Sequence, residues 1–228
     1  MRVEPTGRGG AALVAPPVFL VTDPYFADDA IVRCVEAVAR ALPVGAVAVQ
    51  LRDKRRPIAS LRVFALRLRQ VTRSVRARLF INGDARLARD VGADGVHLGH
   101  GVSTVAAART ICGRPIQVSV AVHSDDDVRR ALEDGADAAL VSPIYSSRSP
   151  FRLAVAAGKT ARGLRALRAA RHMAGSRMRL YALGGVTVER VGECARAGAD
   201  GVAVIRALLD ANDPARAARA LYEAWVRC

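Results

Sequence analysis

The feature that most constrains the fold is a regular alternation between short apolar runs and longer amphipathic stretches. The apolar runs are rich in β-branched and aliphatic residues and are hydrophobic almost throughout, as parallel strands buried on both faces are. Eight such runs occur, at 18–23, 45–52, 78–82, 95–99, 116–122, 138–143, 179–185 and 201–205. Between them, apolar residues recur at helical spacing, as in 57–76, where Leu61, Phe64 and Leu68 share one face and arginines take the other.

Local signals mark where these helices begin and end. Three phrases, VGADGVHLG at 91–99, DGADAALVSP at 134–143 and AGADGVAVI at 197–205, repeat a Gly-Ala-Asp step. The glycine of each step predicts a left-handed helix end that turns into the next strand. Helix starts are predicted at four places, namely Pro57 as a first helical residue and Ser124, Thr187 and Asp213 as N-caps.

Eight strand–helix units predict the α/β class and, within it, a single (β/α)8 TIM barrel. We assign residues 17–228 to this barrel and residues 1–16 to an N-terminal extension. A doubly wound open sheet is the alternative. It would need a glycine fingerprint after the first strand, and the phrase VTDPYFADD contains no glycine.

Composition excludes several classes of protein. No stretch reaches the ~18 apolar residues that cross a bilayer, and the start of the chain does not resemble a signal peptide. The cysteines stand singly at positions 34, 112, 194 and 228, which argues against a zinc site or a redox pair. We therefore expect a cytoplasmic protein with no membrane partner and no bound metal.

The formal net charge of +14 raises the question of an acidic partner. Of the 35 basic residues, only Lys54 and Lys159 are lysine. Such an arginine bias is typical of a GC-rich coding genome. Aromatic residues make up 4% of the chain and do not interleave with a basic stretch, so nucleic acid is not the expected partner.

In a TIM barrel, chemistry lies at the carboxyl ends of the strands. The second strand ends in Gln50, Arg52 and Lys54, which alternate and so point in one direction. An amide and two cations are suited to holding a phosphate or a pyrophosphate. The alternative interpretation is a solvated loop, because Arg55 and Arg56 continue the charge run.

The last two strands offer a second anion site. Gly184 and Gly185 follow the seventh strand, and Ile205 and Arg206 follow the eighth, in the usual phosphate position of such barrels. His123 ends the fifth strand, where an imidazole can act as a general acid or base. A histidine that caps its own helix is the alternative.

The chain resembles the thiamine phosphate synthase/TenI superfamily over roughly residues 17–220. The phrases that carry the resemblance, in order, are FLVTD, VQLRDK, LFINGDARLARDVGADGVHLG, VHS, SPIY, ALGGVT and GADGVAVI. The resemblance implies a barrel that binds a thiazole phosphate. Thiamine phosphate synthases join a pyrimidine pyrophosphate to the thiazole phosphate with Mg²⁺, whereas TenI-type tautomerases aromatise a carboxythiazole phosphate with a histidine.

The sequence departs from the synthase pattern at the metal. Gly83 and Val102 stand where synthases carry the two aspartates that hold Mg²⁺, and Ala121 stands where they carry a serine. A Thr-x-Thr-Lys phrase becomes the run 147–150, in which Arg148 offers a substitute charge. Mg²⁺ needs carboxylates beside the substrate phosphates, so these changes favour the tautomerase branch.

The resemblance thus implies a thiazole tautomerase with His123 as the proton shuttle and no cofactor. It also implies that Asn82, Ser147 and Gly163 contact substrate, beside the residues at the ends of strands two, seven and eight. Two alternatives stay open: a thiamine phosphate synthase, for which alone Mg²⁺ is expected, and a non-catalytic regulatory or nucleic-acid-associated barrel. Relatives of this kind are often homodimers, but no interface is evident in the sequence.

Overall fold

The computed structural model, which describes residues 15–99, 101, 103–146 and 161–228, is a closed barrel of eight parallel strands. Each strand pairs with the next one along the chain, and the eighth closes on the first, with Val18 opposite both Val47 and Val202. The strands are β1 Val18–Val21, β2 Val47–Leu51, β3 Arg78–Asn82, β4 Gly95–Leu98, β5 Gln117–Val122, β6 Ala138–Val141, β7 Arg179–Leu183 and β8 Gly201–Val204. The predicted (β/α)8 TIM barrel is confirmed.

Helices surround the barrel and bury their apolar faces against the strands. Within the described ranges they are α1 Asp28–Ala41, α2 Ile58–Ser74, α3 Ala85–Asp90, α4 Val105–Cys112, α5 Asp125–Glu133, α6 Gly163–Ala174, α7 Val188–Arg196, α8 Arg206–Leu209 and α9 Pro214–Val226. None of the helices described is long and apolar enough to cross a membrane. Most of the predicted 1–16 extension lies outside the described residues.

The three predicted N-caps, Ser124, Thr187 and Asp213, each take the N-cap position, and Pro57 is displaced by one residue from its predicted place. Ser124 and Asp213 accept backbone N–H groups of Asp127 and Arg216, as N-caps do. Pro57 lies one residue before α2 rather than at its first position. The Thr187 side chain accepts no capping N–H, and its hydroxyl donates to the Glu189 carboxylate at 2.6 Å.

The Gly-Ala-Asp repeat has a structural role in the lower half of the barrel. Its glycines take left-handed backbone angles, as predicted. Each aspartate accepts, at 2.8 Å, the N–H of a residue at the start of the preceding or an adjacent strand, in the pairs Asp94 with Leu79, Asp137 with Val118 and Asp200 with Leu180. An arginine from the helix layer pairs with each carboxylate. The repeat therefore ties helix ends to strand starts at the amino face of the barrel.

Aromatic rings fill the barrel interior below the mouth. The Phe19 ring centroid lies 5.0 Å from that of Phe80 and 5.2 Å from that of Tyr181. Gly95 leaves room for this packing, since a Cβ there would come within 2.3 Å of the Phe80 ring. The part of the interior around these three rings is therefore apolar and closely packed.

Candidate active site at the carboxyl ends of the strands

Gln50 is the most buried polar residue facing the mouth from β2. Its position pairs with Val21 of β1 and with Phe80 of β3. The side chain is 1% exposed, and its Nε2 amide has no hydrogen-bond partner among the described residues. A buried amide without a partner costs about 1–3 kcal/mol, so a donor left in this state at a strand end is suited to a ligand.

Arg52 and Lys54 follow Gln50 on a turn that is held from both sides. Thr22 at the end of β1 accepts the N–H of Arg52 at 2.9 Å. The Asp53 carboxylate accepts the N–H groups of Arg55 and Arg56 at 2.9 and 3.1 Å. Neither the Arg52 nor the Lys54 side chain hydrogen-bonds or ion-pairs within the part of the chain that the structure describes. The backbone of this turn is therefore held in place, which the solvated-loop interpretation does not predict.

His97 of β4 is buried in the barrel, where the charges of Arg52 and Lys54 act on it. It is 5% exposed, and its Nδ1 lies 3.0 Å from the Ser119 hydroxyl. Burial above all, together with the positive charges of Arg52, Lys54 and His123, lowers the pKa of His97 to about 3. The His97 imidazole therefore stays neutral. Arg52, Lys54 and His123, whose charges act on it, all belong to the mouth of the barrel.

His123 is anchored at the end of β5 by three contacts. Its N–H donates to Asp127 Oδ2 at 2.9 Å, and its Nδ1 lies 2.8 Å from the Ser142 carbonyl and 3.3 Å from the Ser142 hydroxyl. A carbonyl can only accept, so Nδ1 carries the hydrogen and Nε2 is the basic nitrogen. Ser124 caps α5, which removes the helix-capping alternative for His123.

Gly184 and Gly185 form a tight turn against the segment that follows β6. Both have positive φ angles, of 103° and 62°. A Cβ on Gly185 would approach the Ser146 carbonyl oxygen to 2.7 Å, so no larger residue fits. Arg190 donates to the Gly185 carbonyl at 2.7 Å and stacks over the Tyr145 ring. Close packing alone accounts for both glycines, and a role in phosphate binding stays a prediction.

Arg206 is less available to a ligand than its position in the sequence suggests. Its Nη1 lies 2.9 Å from Asp210 Oδ2, and its Nη2 lies 3.9 Å from Asp23 Oδ2. Its buried Nε has no partner in the described chain. Ile205 is half-buried and packs against the aromatic cluster inside the barrel. The β8 end thus offers a partly neutralised cation over an apolar wall.

The other predicted contacts are distributed around the mouth. Asn82 is half-buried at the end of β3 and pairs in register with His97. Gly163 begins α6, and its N–H donates to the Ile144 carbonyl at 3.0 Å, which connects the helix to the β6 end. Ser147 lies outside the described residues.

Three further residues position the site, and the sequence alone assigns none of them a specific role. Thr22 fixes the Arg52 backbone, Ser142 orients the His123 ring, and Asp127 holds the His123 N–H. Asp127 lies in the acidic first turn of α5. The signal that could have identified all three is their place at strand or helix ends on the mouth side of the barrel.

The residues present do not fit the Mg²⁺ that the synthase alternative implies. Gly83 replaces one expected carboxylate, and no group of three or more potential metal ligands occurs among the described residues. Both oxygens of Asp53 are already engaged, by backbone N–H groups and by Arg56. Asp84 accepts the N–H of Leu87 as the N-cap of α3. The chemistry of this mouth is cationic rather than carboxylate-rich.

Comparison with known proteins identifies a family. Residues 18–208 match the family described as thiamine monophosphate synthase. The thiamine-phosphate synthase of Chloroflexus aurantiacus is 34% identical over 204 residues, which cover 90% of each protein. That of Gloeobacter violaceus is 35% identical over 218 residues, which cover 94% of this chain and 60% of the longer relative.

A solved structure agrees on the fold. The thiamine phosphate pyrophosphorylase from Pyrococcus furiosus superimposes with a TM-score of 0.78 at 24% identity, and the match covers 93% of this chain and 96% of that one. At this identity the likeness shows the barrel alone. No cofactor other than Mg²⁺, and that only for the synthase reaction, is indicated by the family.

Proposed function

Since this chain belongs to the thiamine monophosphate synthase family, we propose that it is a transferase of thiamine biosynthesis. In this reaction it joins a pyrimidine pyrophosphate to a thiazole phosphate and releases pyrophosphate. The substitutions at positions 83 and 102 led the sequence interpretation to favour a tautomerase. The relatives at 34–35% identity are named synthases, and they favour the transfer instead.

The observation that carries the proposal is that the mouth has two separate ends suited to anions. The β2 end carries Arg52 and Lys54, whose side chains have no partners in the described chain. The other end lies at β7 and β8, which β1 separates from β2; there Gly184 and Gly185 follow β7 and Arg206 begins α8. A transfer between two phosphorylated substrates needs two anion sites, whereas a tautomerisation of one phosphate needs one.

Each group then has a distinct task. The Gln50 amide donates to a polar ring atom of the pyrimidine, and Arg52 and Lys54 hold its pyrophosphate. The backbone at Gly184 and Gly185 receives the thiazole phosphate, and Ile205 packs on the thiazole ring. Holding both substrates in line lowers the entropic cost of bringing the two reacting atoms together. Asn82, Ser147 and Gly163 complete the proposed substrate contacts. We also propose that the protein is cytoplasmic.

His123 supports a second candidate, the tautomerisation of a carboxythiazole phosphate. Its Nδ1 is held by the Ser142 carbonyl at 2.8 Å, which leaves Nε2 as the basic nitrogen. A base oriented in this way can take a ring proton and return it elsewhere, a contribution of about 10²–10⁴-fold. In the transfer reaction the same imidazole has no proton to move, and it lines the substrate site.

One pair of assays separates the two candidates. The purified protein is incubated with pyrimidine pyrophosphate and thiazole phosphate, and thiamine phosphate is measured after oxidation to its fluorescent product. Aromatisation of the carboxythiazole phosphate is followed in parallel by absorbance. We expect thiamine phosphate to form and His123→Asn to retain most of that activity. Aromatisation without any thiamine phosphate, abolished by His123→Asn, would overturn the transferase and establish the tautomerase.

A further inference from the structure

The charge balance of the mouth points to a pyrophosphate site that works without a divalent cation. The described acidic residues at the carboxyl ends of the strands are engaged within the protein. Asp23 accepts the N–H of Tyr25 and faces Arg206, and Asp127 accepts the N–H of His123 and pairs with Arg130. Both Asp53 oxygens are also engaged, whereas Asp84 and Asp125 each keep one oxygen without a described partner.

The two cations of the mouth, Arg52 and Lys54, differ from these carboxylates because they are not engaged within the described chain. Elsewhere in the described chain many arginines face carboxylates, as Arg56 faces Asp28 and Asp53. Arg52 and Lys54 have no carboxylate partner in those residues, although their turn is fixed by Thr22. Two unpaired positive charges on a fixed turn above an apolar barrel interior attract a multiply charged anion more strongly than they would in open water.

Resting on the transferase proposed above, we infer that Arg52 and Lys54 neutralise the departing pyrophosphate in place of Mg²⁺. Together they carry the two positive charges that one such ion would supply. In the reaction, the bond between the pyrimidine methylene carbon and the pyrophosphate oxygen breaks, and the electron pair leaves with that oxygen. The lone pair of the thiazole nitrogen forms the new C–N bond. No oxidant, reductant or proton donor is needed.

Binding of inorganic pyrophosphate tests the inference apart from turnover. Titration calorimetry is run on the full chain in EDTA and again in millimolar Mg²⁺. We expect the Kd for pyrophosphate to differ by less than about threefold between the two conditions. The double variant Arg52→Gln/Lys54→Gln should weaken binding in EDTA by at least about 100-fold, because each charged contact contributes about 1.5–3 kcal/mol. Binding that requires Mg²⁺ would overturn the inference.

Two matched variants sharpen this measurement. Arg73→Gln removes an exposed arginine from the last turn of α2, at the end of the helix farthest from the mouth, and should leave pyrophosphate binding unchanged. Asp84→Asn removes a carboxylate oxygen at the end of β3 that could still hold a cation, while asparagine remains a good N-cap for α3. Pyrophosphate binding in EDTA should survive Asp84→Asn. Loss of a Mg²⁺-dependent component in Asp84→Asn would show that a metal is used after all.

Turnover separates this inference from the proposed function. If thiamine phosphate forms equally in EDTA and in Mg²⁺, both hold. If it forms only with Mg²⁺, the transferase stands and the metal-free site is wrong. If pyrophosphate binds in EDTA but no thiamine phosphate forms in either condition, the cationic site stands and the transferase is wrong. Thermal unfolding of each variant identifies any that fail to fold.

Discussion

Arginine behaves differently at the two faces of this barrel. At the amino face, Arg69, Arg109 and Arg171 each pair with the aspartate of a Gly-Ala-Asp repeat. At the carboxyl mouth, Arg52 has no such partner among the described residues, and Lys54 beside it has none either. Both faces carry positively charged side chains, but these differ in role. Paired charges stabilise the amino face, and unpaired charges remain for ligands at the mouth.

This difference also bears on the net charge of +14. Many arginines are accounted for by carboxylates and backbone carbonyls, as Arg171 is by Asp200 and the Gly198 carbonyl. The positive charge that bears on function is then the charge at the mouth and not the net charge of the whole protein. A nucleic-acid-associated role would instead require a continuous basic surface, and no described feature calls for one.

The largest expected effect comes from breaking a paired aspartate at the amino face. Asp200→Ala leaves the Leu180 N–H and the Arg171 guanidinium without their shared acceptor. We expect the free energy of unfolding to fall by about 3 kcal/mol, measured by urea denaturation, with kcat/KM of the folded protein nearly unchanged. Asp134→Ala, an exposed control on the loop after α5, should change it by less than about 0.5 kcal/mol. A clear fall in the kcat/KM of folded Asp200→Ala protein would contradict the division between the two faces.

The next effect concerns His97, which is buried in the barrel with its pKa lowered to about 3. Unfolded chains bind a proton at this imidazole near pH 6.5, and folded chains do not, so stability falls as pH drops through the window from about 6.5 to 3. Between pH 7.5 and 5, His97 should account for a loss of about 2 kcal/mol. Urea denaturation at both pH values should show this loss shrinking in His97→Gln.

His172→Gln serves as the control for that measurement, because the His172 side chain is exposed on α6. It should preserve the wild-type difference between the two pH values. An unchanged difference in His97→Gln would show that the interior imidazole is protonated as readily as in the unfolded chain.

A smaller effect should separate stability from activity at the mouth itself. Gln50→Leu removes the buried amide whose Nε2 has no described partner. We expect unfolding to cost about 1 kcal/mol more, while kcat/KM for thiamine phosphate formation falls about tenfold. Gln70→Leu, the same substitution on the exposed face of α2, should leave the activity unchanged. Gln50→Leu with full activity would show that the amide does not touch substrate.

The smallest expected effect compares two ion pairs of the amino face that differ in exposure. Arg109 pairs with Asp137 while its side chain is 41% exposed, whereas Arg69 pairs with Asp94 at 13% exposure. Exposed pairs contribute little, so Arg109→Ala should lower the free energy of unfolding by less than about 1 kcal/mol. Arg69→Ala should lower it further in the same urea titration. Equal losses would mean that exposure does not set the strength of these pairs.

Much of the site was readable from sequence because barrel topology converts strand ends into neighbours. The β2 end with Gln50 and Lys54 lies far along the chain from the β5 end with His123, yet parallel strands of a closed barrel end at one face. The partners of these residues were not readable. That Asp127 holds the His123 N–H and that Arg206 faces Asp23 depends on loop paths that no periodicity encodes.

The sequence by itself determined the barrel, its eight strands, the repeated glycine turns and the family. These follow from hydrophobic periodicity and local backbone preferences, which act between residues close in the chain. Only the tertiary structure decided which charges are paired. Ion pairs such as Arg69 with Asp94 join residues 25 positions apart, and the unpaired state of Arg52 depends on which carboxylates lie nearby in space. Electrostatic interactions depend on distance and burial, and both are set only when the helices and strands pack together.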